Sequence, residues 1–259
     1  MARIAVLGCG PQGVLCAYAA EKYDHTVNIY SRKVKSVIPG SQHLHGHIDG
    51  LTRLYPEGTI QFVRIGTAEG YAEKVYADPS RTTGWENYLQ VFPFWSVQKM
   101  YDKLWDMFQA RIRDLTVTPH IEANNNEIDV YTILASHDLV ISTLPAPELC
   151  MYPNMHEFES VPYFIRVLPT PEKDKDKNIV VYNGIREDMW YRWSLLDGKC
   201  AIEYTESVSG DEEVGRKAIA NNCTCWPKIR RCGRWAEWRH GVTMYSAYQD
   251  AERMVRELA

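Results

Sequence analysis

Ile4-Ala5-Val6-Leu7-Gly8-Cys9-Gly10-Pro11-Gln12-Gly13 is the stretch on which the fold turns. Four apolar residues without polar alternation predict a strand covered on both faces, as in a parallel sheet. Glycines 8, 10 and 13 follow at once. In a GxGxxG turn the first glycine permits the reversal from strand to helix, the second lets backbone approach a pyrophosphate, and the third lets helix and strand pack closely. Val14 to Tyr23 then reads as a helix whose N-terminal N–H groups face the phosphates, and Thr26-Val27-Asn28-Ile29-Tyr30 as a second strand. The unit closes in roughly 30 residues, the length of a βαβ nucleotide-binding unit. The motif in this setting predicts a bound dinucleotide, and its bland alternative is a plain tight turn.

Which dinucleotide is a separate question. The acid that normally ends the second strand and holds ribose hydroxyls is absent, and Tyr30-Ser31-Arg32-Lys33 stands there instead. Arg32 and Lys33 suit a 2′-phosphate, which points to NADP. They equally suit a role as solvated cations beside a ribose bonded by Ser31. On the motif alone FAD and NADP stand level.

Working outward, 259 residues suffice for a nucleotide-binding domain carrying a smaller one. With 29 Lys plus Arg against 33 Asp plus Glu, the net charge of -4 excludes a wholesale polyanion binder but not a local basic face. The start shows no signal-peptide pattern and no run is apolar enough for a membrane helix, so a soluble, cytoplasmic protein is expected. Seven cysteines without framework spacing read as reduced thiols.

Residues 31–59 lack a clear period and are expected to form a long ordered loop or a set of short elements, and long loops in compact domains are often functional. Ile60 to Gly66 predicts a strand, Val97 to Arg113 a helix, and Leu115 to Ile121 another strand. Asp138 to Thr143 predicts a strand ending at the turn Leu144-Pro145-Ala146-Pro147. Tyr163–Leu168, Asn178–Tyr182 and Cys200–Tyr204 read as a smaller antiparallel sheet, Gly210 to Asn222 as a polar connection, and Tyr245 to Leu258 as a terminal helix. The fold expected is α/β: a Rossmann-type FAD-binding domain (1–59, 97–150, 233–259) with a smaller antiparallel-sheet substrate domain (60–96, 151–232).

Resemblance separates the two nucleotides. Gly10-Pro11-Gln12-Gly13 is similar to the GPxG form of FAD proteins, and Val140-Ile141-Ser142-Thr143-Leu144-Pro145 resembles their later strand that ends against the cofactor. Gly233-Arg234-Trp235-Ala236-Glu237-Trp238 with Gly241-Val242 resembles their C-terminal return to the flavin. Together with Gly40-Ser41-Gln42-His43-Leu44-His45 and Trp190-Tyr191-Arg192, these segments resemble small flavoproteins of tailed bacteriophages over most of the chain. Some members of that group act in DNA hypermodification, as FAD-dependent lyases that cleave a glycine adduct on the thymine 5-methyl carbon. The resemblance implies FAD held by Gly8, Gly10, Pro11, Gln12, Gly13, Ser31, Arg32, Lys33, Gln42, His43, Leu44, Thr143, Leu144, Pro145, Gly241 and Val242.

For chemistry, His45 is a candidate proton relay, and Tyr191 with Arg192 are candidates to wall the substrate and hold a carboxylate through a bidentate fork. His43, His45 and His47 alternate like a metal comb, but no further ligand stands nearby. Cys223-Thr224-Cys225 with Cys232 lacks CxxC spacing and an obvious fourth ligand, so a reduced turn is favoured and no metal is expected. Lys228, Arg230, Arg231 and Arg234, interleaved with Trp226, Trp235 and Trp238, are candidates for DNA contact. The rivals are an NADP-dependent reductase, a non-redox flavoprotein of the sugar-mutase type, and a binding module without turnover.

Overall fold

Along the chain, β1 (Arg3–Leu7) leads through α1 (Pro11–Lys22) to β2 (Thr26–Ser31), followed by β3 (His43–Leu44), β4 (Gly58–Gly66), α2 (Ala68–Tyr76) and β5 (Leu89–Ser96). α3 (Val97–Phe108) runs through one 3-10 turn into β6 (Ile112–Asp114), β7 (Thr116–Thr118), β8 (Glu127–Asp129), α4 (Val130–Ser136) and β9 (Leu139–Ser142). Then come β10 (Phe158–Leu168), β11 (Ile179–Gly184), β12 (Trp190–Leu196), β13 (Lys199–Tyr204) and β14 (Glu213–Asn221). β15 (Ile229–Arg231), α5 (Arg234–Glu237) and α6 (Met244–Arg256) complete the chain. This computed structural model describes residues 1–258 apart from 37, 39–41, 83–84, 86–88, 121–123, 171 and 209–212.

Two units divide these elements: residues 1–37, 98–159 and 220–259 form the first, 38–97 and 160–219 the second. Unit 1 carries a five-stranded sheet in the order β15-β9-β1-β2-β6, and every pairing in it is parallel. Ile4, Ala5, Val6 and Leu7 are fully buried, which is why β1 shows no alternation. Burying such side chains contributes roughly 1.5–3 kcal/mol for each large one. On α1, Val14, Leu15, Cys16, Ala17, Ala19 and Ala20 are all buried, and α6 packs against this helix. Thr243 caps α6, accepting from the Ser246 N–H at 3.1 Å.

Unit 2 is an eight-stranded sheet in the order β14-β10-β13-β12-β11-β4-β5-β3. It is not wholly antiparallel, because β4 and β11 pair in parallel. The other pairings described are antiparallel. Its core gathers Ile60, Phe62, Phe94, Val180 and Leu196.

The sequence reading differs from this structure in several places. The unit boundaries shift because β3 pairs with β5, which draws residues 38–59 into unit 2. Likewise β15 pairs with β9, which draws residues 220–232 into unit 1. The helix expected to reach Arg113 stops at Phe108, since Ile112 and Arg113 extend the parallel sheet beside Ile29 and Tyr30. The strand expected from Leu115 to Ile121 spans Thr116–Thr118 among the described residues and pairs with β8. Gly210 to Asn222, expected to be a connection, contains the strand β14; residues 210–212 lie outside the described ones.

Candidate functional site

In unit 1 two of the three glycines of the turn occupy positions that exclude a side chain, each for its own reason. Gly8 has φ +101, and a Cβ there would meet Thr143 Oγ1 at 2.7 Å. At Gly13 a Cβ would overlap the Gly8 carbonyl, so the helix can approach the strand end only without one. Gly10, the N-cap of α1, is different: among the described residues a Cβ would meet Ser36 Oγ alone, at 3.5 Å. Pro11 follows at the first helical position, where its missing N–H costs nothing. No acidic residue stands in the first turn of α1, so the helix N-terminus keeps its attraction for an anion.

The neighbouring strand ends lock this turn. The Gly8 N–H donates to the Tyr30 carbonyl at 2.9 Å, and Thr143 donates to the Leu7 carbonyl at 2.9 Å through both its N–H and its hydroxyl. Tyr101, fully buried on α3, donates to the Cys9 carbonyl at 3.2 Å and accepts from the Ser36 N–H at 2.9 Å. Burial pushes the Tyr101 phenol up, so it remains the donor that this bond needs. Nothing in the local sequence distinguishes Tyr101 from the other apolar-face residues of α3.

At the end of β2, Arg32 and Lys33 are exposed, while Ser31 lies in register with Asp114 of β6. Asp114 accepts from the Lys33 N–H at 2.9 Å. An acid is therefore present beside the β2 terminus after all, supplied by the adjacent strand rather than by β2 itself. Glu148, in the turn after β9, has its carboxyl pushed up by burial, with the Arg32 charge pulling it back. Leu144 and Pro145 continue from Thr143 as expected.

The side chain of Gln12 does not point toward a phosphate position. Its amide contacts Cys16 and Cys232 sulfurs at 3.7 Å each, and its Cγ is the atom a Cβ on Gly233 would strike, at 2.9 Å. Gly233, at φ +94, is glycine for that reason as well. Only the backbone of Gln12 is left for an anion. Gly241 has φ +85 with open space around it, and Val242 is buried just ahead of the Thr243 cap.

In unit 2 the decisive cluster is charged and aromatic. β12 carries a bulge, since its register against β13 shifts between Trp190 and Arg192. The bulge aims Tyr191 and Arg192 at one carboxylate, that of Glu203. The Tyr191 hydroxyl donates to Glu203 Oε2 at 2.6 Å, Arg192 Nε donates to Oε1 at 2.7 Å, and Arg192 Nη2 donates to the same oxygen. Lys217 lies 3.8 Å from Oε2 and 3.6 Å from the Tyr191 ring centroid. Burial opposes ionisation of Glu203, but Arg192 and Lys217 outweigh it and hold the carboxyl below its usual range. With Arg192 and Lys217 positive and Glu203 negative, the cluster keeps one net positive charge.

These contacts redefine two expected roles. Tyr191 is 1% exposed and faces Glu203, so it supports the cluster from within rather than meeting a ligand. The Arg192 edge expected to grip a substrate carboxylate is occupied by Glu203. Around them stand Tyr182 stacked on Phe62 (5.8 Å, 17°), Tyr71 edge-on to Tyr182 (5.4 Å), and His43 against Phe62 (5.3 Å). Glu203 was legible only as an acid inside an apolar run, and Tyr71 carried no signal at all.

His43, Leu44 and Gln42 belong to unit 2 and not, as expected, to the nucleotide unit. Leu44 is fully buried, and His43 and His45 touch at 4.4 Å between ring centroids. His47 turns away to Thr52 and Arg53, at 2.8 and 3.0 Å, so the three histidines form no comb. Gly40 and Ser41 lie outside the described residues.

Burial, with His45 and Arg192 adding to it, pushes the His43 ring down to about 3 from an ordinary 6.5. The folded protein thus prefers a neutral His43, and this contribution to stability is full above pH 6.5 and lost as pH falls toward 3. Wild type should lose about 2 kcal/mol more than His43→Gln between pH 7 and pH 5 in urea unfolding. Equal losses would mean that the ring titrates normally.

The basic stretch near the C-terminus is largely structural. Trp226 and Trp238 are buried and donate to the Leu149 and Glu159 carbonyls at 2.7 and 2.9 Å, so they cannot stack on bases. Arg231 bonds Cys223 Sγ and the Cys225 carbonyl at 3.3 and 3.2 Å. Arg234 is half-buried, while Lys228 and Arg230 are exposed. Cys232 sits apart from Cys223 and Cys225, its sulfur 3.5 Å from that of Cys16.

No family model matches the chain, and no curated protein matches its sequence. Solved structures do match. A reduced UDP-galactopyranose mutase aligns with a TM-score of 0.54 at 11% identity, over 100% of this chain and 94% of that one. A putative FAD-containing monooxygenase from Photorhabdus luminescens subsp. laumondii TTO1 aligns at 0.51 and 12%, over 100% and 88%. CtdE in complex with FAD aligns at 0.54 and 10%, over 99% and 84%. The fold is therefore Rossmann-type with an attached sheet unit, of the kind these proteins share.

Proposed function

We propose that this chain binds FAD on the glycine turn of unit 1 and is a flavin-dependent oxidoreductase. The observation that carries the reading is the division of labour among Gly8, Gly10 and Gly13: Gly8 is closed by its positive φ and the Thr143 side chain, Gly13 by the Gly8 carbonyl, and at Gly10 the described residues leave room before an acid-free helix N-terminus. The residues present fit the pyrophosphate of FAD. FAD when bound supplies acceptance of a hydride. Ser31 and Asp114, at the β2 and β6 ends, are suited to ribose hydroxyls.

We assign substrate recognition to the aromatic face of unit 2. Its rings and single net positive charge suit a planar, anionic substrate. Arg192, fixed by Glu203, acts as an oriented charge, and exposed His45 beside neutral His43 is placed to exchange a proton with solvent. The glycine adduct of thymine meets this description, having a heteroaromatic ring and a carboxylate. FAD held at the glycine turn would supply the two-electron acceptor that oxidation of the glycyl C–N bond to an imine requires. Water would then split the imine into glyoxylate and 5-aminomethyl-deoxyuridine, with O₂ as the terminal oxidant. A base in a duplex would first have to leave the stack, at a cost of a few kcal/mol.

The visible spectrum of the purified chain, followed by anaerobic addition of DNA carrying glycyl-thymine, tests both levels. Flavin bands that bleach support both. Bands that persist retain the flavoprotein and remove this substrate. A colourless protein that ignores added FAD but binds NADP favours the reductase, for which exposed Arg32 and Lys33 are the supporting observation.

A further inference from the structure

Four side chains from two distant segments of unit 1 converge outside the nucleotide turn: Cys150, His156, Cys223 and Cys225. Their ligand atoms all lie within 4.8 Å of one another. Cys150 Sγ is 3.1 Å from His156 Nδ1 and 4.0 Å from Cys225 Sγ, and Cys225 Sγ is 3.9 Å from His156 Nδ1. Ligands on a tetrahedral zinc ion, with bonds of about 2.3 Å to sulfur and 2.0–2.1 Å to nitrogen, stand roughly 3.5–3.8 Å apart. The observed spacings bracket that range. A cluster with bridging sulfides would hold its ligands on separate metals and farther apart.

We propose that these residues form a structural Cys₃His zinc site. Four protein ligands leave no open position, which separates a structural site from a catalytic one. Three thiolates around a divalent ion leave one negative charge, and Arg231 lies against it with Nη2 3.3 Å from Cys223 Sγ. The same guanidinium binds the Cys225 carbonyl and Asn221 Oδ1, while Asn221 Oδ1 also accepts from the Cys223 N–H at 3.0 Å. Outer contacts of this kind orient metal ligands. The backbones behind the ligands are tied as well, by the Trp226 indole N–H on the Leu149 carbonyl at 2.7 Å.

The site joins the turn after β9 to the approach to β15, so it would fasten the parallel sheet where that edge pair forms. Binding consumes no redox partner: three thiols give up their protons to solvent and the ion takes their place.

The test is metal analysis of the full-length chain purified under reducing conditions, with cobalt(II) exchange as a second measurement on the same wild-type protein. About one zinc per chain is expected, with cobalt giving the intense thiolate charge-transfer bands of a tetrahedral site. Cys225→Ser and His156→Ala should each lower zinc retention at least tenfold, while Cys232→Ser retains it. Should the variants fail to fold, the wild-type zinc content and cobalt spectrum decide alone. A folded wild type that holds no stoichiometric zinc and takes none up, cobalt without thiolate bands, a Cys150–Cys225 disulfide in the reduced preparation, or zinc loss on Cys232→Ser alone would overturn the proposal. None of these readouts depends on FAD.

Discussion

Replacing Glu203 by alanine should cost about 3–5 kcal/mol of unfolding free energy, the scale for removing one partner of a buried ion pair. Glu203 is 1% exposed and is the only carboxylate described within bonding reach of Tyr191, Arg192 and Lys217. Its loss removes at once the acceptor of the buried Tyr191 hydroxyl and the carboxylate that balances Arg192 and Lys217. Urea denaturation of Glu203→Ala against wild type measures this, and a change under about 1 kcal/mol would show that the cluster is solvated and not the rigid support described. Glu203→Gln should be milder, because an amide oxygen still accepts one bond, though the charge balance is lost. Combining Glu203→Leu with Arg192→Met should recover part of the loss, since the desolvation cost of both charges disappears together.

The second large effect separates two neighbouring glycines. Gly13→Ala places a methyl group into the Gly8 carbonyl, backbone against backbone, where nothing flexible can yield. We expect a loss of about 1–3 kcal/mol or more, with FAD retention lost too. Among the described residues Gly10→Ala meets the Ser36 hydroxyl alone, at ordinary contact distance, so the apoprotein should keep its stability. Its methyl group nevertheless fills the face assigned to the pyrophosphate. FAD affinity should fall at least tenfold, or about 1.4 kcal/mol. Isothermal titration with FAD, beside thermal unfolding of the apoproteins, distinguishes the two. A Gly10→Ala variant that binds FAD like wild type would show that the phosphates do not lie over this turn.

The contrast between those glycines also marks what the sequence makes legible. The β1-α1-β2 unit is readable because its signals are local: an apolar run, a glycine spacing and a helical period within some thirty residues. The strand β14 is not, because charged Arg216 and Lys217 stand directly before its buried Ala218 and Ile219 and cut the apolar run short. At the candidate substrate face, Arg192 is conspicuous in sequence, but its partner Glu203 depends on a bulge whose position no propensity specifies. Tyr101 and Asp114 reach the nucleotide turn only through the packing of α3 and β6, and the chain offers no hint of either encounter. Cys223 and Cys225 are visible as a pair, whereas Cys150 and His156 are separated from them by the second segment of unit 2.

That interleaving has a consequence for synthesis. β9 has β1 on one side and β15 on the other, yet β15 begins at Ile229 while β9 ends at Ser142. At about 5–20 residues per second, a ribosome takes roughly 4–17 s to cover that interval. During this time the nascent chain presents β9 as an open edge, and α1 has not yet met α6. An unpaired apolar edge is a template for wrong partners, so yield should respond to translation rate and temperature more than the stability of the finished fold would suggest. Unit 2 is complete once residue 219 has been made, whereas unit 1 is whole only when residues 220–259 have followed it.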